Sequence, residues 1–217
     1  MKKIVAFIIT CRFSPRTIWM LLRLNFLDKR IVRDHNVYIF PYPRTKILLS
    51  KQARIILHGD MKINIPEMGK NYKSAYLAMR GHSVMEVMLS CELLEGCDLQ
   101  IHNGGQFVVD RFHANIDFEL SCGCKTELKG EVTAGRHVRV KDFNGHKVNY
   151  DGYPMAAPIT IENHTWLCTG ATINPGVHVG TGAVVADNSN VIEDVLPYTF
   201  IQGNPATVVK ENIKFTI

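Results

Sequence analysis

IENHTW, LCTGAT, INPGVH, VGTGAV, VADNSN and VIEDV, the run from Ile161 to Val195, repeats every six residues. Its first slot holds Ile161, Leu167, Ile173, Val179, Val185 and Val191; its fifth holds Thr165, Ala171, Val177, Ala183, Ser189 and Val195. Six residues are too few for a helix and its turn, but they suit a short strand and a bend, with glycine where the backbone must turn. Three such units close one coil, and stacked coils bury the aliphatic slots in a central column. An α/β domain with a Val-rich helix is the competing reading, and Asn174-Pro175-Gly176 would break that helix. The stretch therefore predicts a mainly β fold, a β-helix solenoid.

Upstream, the same beat runs from Ile116 through Cys122, Leu128, Ala134 and Val140. Between Val140 and Ile161 the count is not a multiple of six, so at least three residues must leave the coil, in the segment 145–154. Before Ile116 the pattern is less regular. Tyr42-Pro43 marks the entry to the β region, Gly69 to Gly81 reads as a loop or an irregular coil, and Thr207 to Phe215 as a closing strand or short helix. This divides the chain into an N-terminal appendage (1–46), a β-helix (47–200) with an active-site loop near 142–158, and a closing segment (201–217).

The formal net charge of +5 hides an asymmetry. Residues 1–54 carry twelve Lys or Arg against Asp28 and Asp34, and the remainder is net acidic. Ser14-Pro15 reads as a helix start, with Ser14 as N-cap, followed by a basic amphipathic stretch from Ile18 to Val32. Its expected role is to cap the open end of the β-helix; the sharper alternative is peripheral contact with an anionic membrane surface. The apolar stretch Ile4 to Ile9 is too short to span a bilayer, and no cleavage site follows it, so a cytoplasmic location is expected. No nucleic-acid partner is expected. The six cysteines show no secreted spacing; Cys122 and Cys124 form a candidate metal pair but read more simply as buried small residues, so no metal is expected.

A loop leaving a rigid repeat is where function concentrates. This one opens on Asp142-Phe143-Asn144-Gly145-His146, with histidine where the six-residue count asks for an aliphatic residue. Imidazole at neutral pH can take a hydroxyl proton and return it.

Several runs also resemble the hexapeptide-repeat acyltransferases, most closely the sugar and polysaccharide O-acetyltransferases. They are Trp166-Leu167-Cys168-Thr169-Gly170-Ala171, Asn174-Pro175-Gly176-Val177, Asp194-Val195-Leu196-Pro197-Tyr198, Gly203-Asn204-Pro205-Ala206 and the Asp142-x-x-Gly145-His146 loop. The resemblance covers about 98–210. It implies a left-handed parallel β-helix, a homotrimer with sites between subunits, acetyl-CoA as acyl donor and a saccharide hydroxyl as acceptor. By the same match His146 is the general base, with Asp142 or Asn144 orienting its ring, although the family often has Asp where Asn144 stands. Trp166, Thr169, Gly170, Asp187 and Asn188 are expected to line the acyl-CoA groove, with Lys210 near its phosphates. Cys168 and the run from Ala186 to Ser189 depart from the family's smaller residues, which would narrow that groove or alter how tightly CoA is held. A γ-class carbonic anhydrase is excluded by spacing: a third histidine is wanted five residues after His137, and Asp142 stands there. A non-catalytic scaffold and acetylation of another small acceptor (serine, an antibiotic, a sugar-nucleotide amine) are the remaining alternatives.

Overall fold

The computed structural model describes residues 2–11, 14–67, 69, 72–149 and 155–216. Two helices, α1 (Lys2–Thr10) and α2 (Pro15–Leu22), precede a π-helical turn, Arg23–Leu27. Among the described residues after it, the regular elements are strands, most of them short, wound as stacked rungs.

Each rung contributes a strand to three faces. The first holds β1 (Ile31–Arg33), β2 (Ile39–Pro41) and β3 (Thr45–Leu49); the second β4 (Arg54–Leu57), β5 (Asp60–Ile65) and β6 (Ala75–Met79). In the next three, one long strand bends through two faces: β7 (Val84–Leu94) with β8 (Asp98–Ile101), β9 (Gln106–Ala114) with β10 (Glu119–Cys122), and β11 (Lys125–Ala134) with β12 (Arg139–Lys141). The sixth is β13 (Ile159–Ile161), β14 (Thr165–Leu167) and β15 (Thr172–Ile173); the seventh β16 (His178–Val179), β17 (Val184–Val185) and β18 (Asn190–Val191). Val195 and β19 (Phe200–Gly203) begin an eighth, and β20 (Ala206–Lys210) folds back antiparallel to β19. Apart from that hairpin, the strands pair in parallel with their neighbours one rung below and above.

The sixfold beat is borne out in the burial. All twelve first-slot and fifth-slot residues between Ile161 and Val195 are buried. Each fully buried Val, Leu or Ile contributes roughly 1.5–3 kcal/mol, so this column is the main source of stability. The register is eighteen residues where the beat is strict: Thr160 pairs with His178, Trp166 with Val184 and Thr172 with Asn190. Lower rungs are longer; Glu119 pairs with Asp98 and Arg139, and Tyr76 with Asp98.

Three expectations need correction. Parallel pairing starts at Ile31, inside the stretch assigned to the appendage, because Ile31, Ile39 and Ile47 already face the column. Of the two readings of Gly69 to Gly81, a loop or an irregular coil, the loop fails: the stretch contains β6, whose Ala75, Leu77 and Met79 are buried. The single helix expected to Val32 stops at Leu22, and Ser14 makes no side-chain capping bond. The chain instead turns so that Leu24 enters the central column and covers its lower end, with Met20 packed against it. The helices seat on β2 through a second cluster of Phe7, Cys11, Leu21, Tyr38 and Phe40.

The lower edge is also closed by side chains. Buried Asn25 donates to the Ile39 carbonyl (2.8 Å) and accepts from the Ile39 N–H (2.8 Å), as a neighbouring strand would. Arg30 Nη1 donates to the Leu49 carbonyl at 2.6 Å. No described helix is long and apolar enough to cross a membrane.

Candidate active site

The loop that carries His146 leaves the corner between the third and first faces. Val140 pairs with Ile173, thirty-three residues on, against eighteen for the rung above. The excursion is thus fifteen residues, larger than the minimum of three that the count demands. Its neck is a short antiparallel closure: Phe143 bridges Ala156, the Asn144 N–H donates to the Met155 carbonyl (2.8 Å), and the Ala157 N–H donates to the Asp142 carbonyl (3.0 Å). Residues 150–154 of the departing segment lie outside the described residues. His146 is exposed beyond the neck, where solvent and a substrate can reach its ring.

Asp142 sits below that neck with no exposed surface. Its Oδ1 accepts from the N–H groups of Gly123 (2.6 Å) and Cys124 (3.2 Å), and its Oδ2 accepts from the Thr126 hydroxyl (3.0 Å). The carboxylate therefore pins the 123–126 turn of the rung beneath to the start of the loop. No hydrogen bond joins it to His146 among the described residues. Asn144 is half-buried and lines a cleft of about 220 Å³ on the third face, with Ser121, Arg139, Lys141 and Phe143. The Arg139 guanidinium in that cleft is engaged by Glu119 at 2.7 Å.

A second histidine lies at the same corner. The His102 ring is 5.0 Å from that of Phe143, and its Nε2 is 3.4 Å from the Ser121 hydroxyl. Burial holds His102 below the usual imidazole range; Arg80 adds to this and Asp142 opposes it. Sequence spacing did not connect His102 with the loop. The signal was its place on the corner two rungs below, readable only once the register is known.

The residues expected at the acyl-CoA groove gather elsewhere. Trp166 projects from the second face, 41% exposed. Thr169 and Gly170 form the next corner, between the second and third faces, and Asp187 and Asn188 form the same corner one rung up; the Asn188 N–H donates to the Thr169 carbonyl at 2.8 Å. Gly170 adopts φ +72°, and a Cβ there would lie 2.3 Å from Asn188 Oδ1, so this position favours glycine. Trp166, Val184, Phe200 and Lys210 follow one another across the sheet. Three strand spacings, about 14 Å, therefore separate Trp166 from Lys210. In one chain none of these residues shares the corner from which the His146 loop leaves.

The chain's own C-terminal segment reaches this strip. Phe215 stacks on His164 (ring centres 4.4 Å apart, 13° between planes), its carbonyl lies 3.0 Å from His164 Nε2, and its ring is 6.1 Å from Trp166. Nothing in the six-residue pattern pointed to that contact.

The cysteines are thiols. Burial and Asp187 push Cys168 up to about 11, and burial pushes Cys97 up to about 12 and raises Cys122 further. That burial disfavours the thiolate a nucleophile at Cys168 would need. Cys122 donates to the Gln106 carbonyl at 3.2 Å, and no group of three His, Cys, Asp or Glu among the described residues could hold a metal ion.

No family model matches the chain. A protein of Saccharomyces cerevisiae assigned to the acetyltransferases is 29% identical over 185 residues, covering 81% of this chain and 88% of the yeast protein. The chloramphenicol acetyltransferase of Morganella morganii is 39% identical over 61 residues, 28% of this chain and 29% of that relative, so the chain matches under a third of its length. Among solved structures, the polySia-specific acetyltransferase NeuO superposes with a TM-score of 0.61 at 21% identity, over 86% of this chain and 82% of that one; the two share a fold.

Proposed function

We propose that this chain, which belongs to the hexapeptide-repeat acyltransferases, moves an acetyl group from acetyl-CoA to a saccharide hydroxyl, with His146 as general base. The rungs wind left-handed, as the resemblance implies, and three copies form the working unit. The observation that carries the reading is the exposed His146 on a fifteen-residue excursion from an otherwise regular stack. Its separation from the corner of Thr169, Gly170, Asp187 and Asn188 supports a site made by two subunits, one giving the histidine and the next the groove.

In this reading His146 takes the acceptor's hydroxyl proton as the oxygen attacks the thioester carbonyl. A backbone N–H stabilises the oxyanion, the carbon–sulfur bond breaks, and the imidazolium returns the proton to the departing thiolate. The raised Cys168 thiol supports direct transfer with no acyl-enzyme. Asn144 holds or orients the His146 ring. Asp142 acts at one remove, since its carboxylate fixes the neck from which the loop springs. Trp166 flanks the acyl arm and Lys210 meets the CoA phosphates at the other end of the strip. The Saccharomyces and Morganella relatives support acetyl as the acyl group, and NeuO, named for polySia, supports a saccharide acceptor.

The test is thiol release from acetyl-CoA with a panel of sugars and oligosaccharides, wild type beside His146→Ala. Acceptor-dependent release that falls by about 10²–10⁴ in the variant is expected. Full turnover in His146→Ala would remove the base from this mechanism.

A further inference from the structure

We propose that the trough between α2 and the third face is a docking surface for an anionic phospholipid bilayer. A surface helix ordinarily buries one stripe and turns polar residues outward. Here α2 buries Thr17 and Leu21, yet its outer side carries Trp19 and Leu22, continued by Phe26 and Leu27 on the π-helical turn, all 41–60% exposed. Leu48 of β3, at 66%, faces the same groove as Trp19.

In the grooves that Trp19 and Leu48 line, the charge has one sign. A groove of about 350 Å³ lined by Arg16, Trp19, Arg23 and Lys46 adjoins one of about 460 Å³ that also takes in Arg80, the two sharing Arg23, Ile47 and Leu48. No carboxylate lines either groove. Arg30 in the second is neutralised by Asp28, at 2.6 Å. Arg16 and Arg23 have no ion pair among the described residues, and the buried Nε of Arg23 has no hydrogen-bond partner.

The combination selects the occupant. A second copy meeting this surface with its own would set cations against cations. A soluble polyanion would answer the arginines and leave Trp19, Leu22, Phe26 and Leu48 in water. A bilayer with anionic headgroups answers both, since tryptophan and aliphatic side chains enter the interfacial layer while arginines meet phosphate. The contact is peripheral, because no described helix is long and apolar enough to span. Four strand spacings, about 19 Å, separate β3 from β12, whose end leads into the His146 loop. The inference does not depend on the acyl-transfer reading.

The experiment is sedimentation of the full chain with phosphatidylcholine vesicles, with and without about one third phosphatidylglycerol, at low and high salt. Binding only to the anionic vesicles, lost at high salt, is expected. Arg16→Gln should weaken it roughly fivefold and Trp19→Ser roughly tenfold. Both side chains are exposed, so both variants should melt like wild type. Lys125→Gln, an equal loss of charge on another face, should bind as wild type does. Absence of sedimentation at low salt would overturn the proposal. So would equal effects of Arg16→Gln and Lys125→Gln, or a change of mass by light scattering in Trp19→Ser with vesicle binding intact.

Discussion

Replacing Asp142 distinguishes a carboxylate that builds the loop neck from one that acts in the chemistry. Asp142→Ala removes the acceptor of three hydrogen bonds, from the Gly123 N–H, the Cys124 N–H and the Thr126 hydroxyl. Thr126 is fully buried, so its hydroxyl is stranded at about 1–3 kcal/mol, whereas Gly123 and Cys124 are half-buried and regain part of their loss from water, at about 0.5–1 kcal/mol each. The sum is about 2–5 kcal/mol, and at roughly 2–4 °C per kcal/mol for a chain of this length the Tm should fall by about 4–20 °C. Asp142→Asn keeps an acceptor oxygen for the two N–H groups, and the Thr126 hydroxyl can rotate to accept from the new amide. That variant should lose only about 1 kcal/mol and keep the wild-type pH profile of turnover. The assay is thermal melting beside initial rates across pH. An unchanged Tm in Asp142→Ala, or equal destabilisation by Ala and Asn, would refute the pinning argument.

Gly170→Ala forces a side chain into the left-handed region and against Asn188 Oδ1, and should cost about 1–2 kcal/mol by urea titration; Asn188→Gly in the same chain should recover part of it. His102 has its pKa lowered by burial and Arg80. The unfolded chain, titrating near 6.5, therefore takes up the proton first. Stability should be highest above that pH and decline as pH falls from it towards the folded value. His102→Gln should flatten that part of the profile, and an unchanged slope would show that another group titrates there.

The upper rungs were legible in the sequence because their turns are minimal. Between Ile161 and Val195 every corner takes the same number of residues, so the inward positions recur in strict sixes. Lower down the geometry is the same but the corners are not. β7 and β9 bend through two faces with a shift of register at Val87/Ser90, and the second rung holds a long excursion between Ile65 and Ala75. Inward residues still alternate there, but their spacing slips at each corner, which is why β1 and β2 fell in the expected appendage and β6 was not told from a loop. At the site, His146 was visible as a polar residue in an aliphatic slot. The work of Asp142 was not, since its partners at 123–126 become neighbours only through the register of two rungs. Phe215 beside Trp166 was invisible for a related reason: a closing segment obeys no repeat.

A parallel stack has no intrinsic length; each rung offers the next the same unpaired N–H and C=O groups, and identical chains laid end to end would grow as a filament. Here growth is stopped by chemistry outside the repeat. At the lower end the amide of Asn25 consumes both groups of Ile39, and Arg30 takes the Leu49 carbonyl. At the upper end β20 runs the wrong way along β19, so the second face presents an antiparallel edge that a first rung cannot copy. The same few residues that end the stack thereby deny a second copy the parallel edges at Ile39, Leu49 and β19.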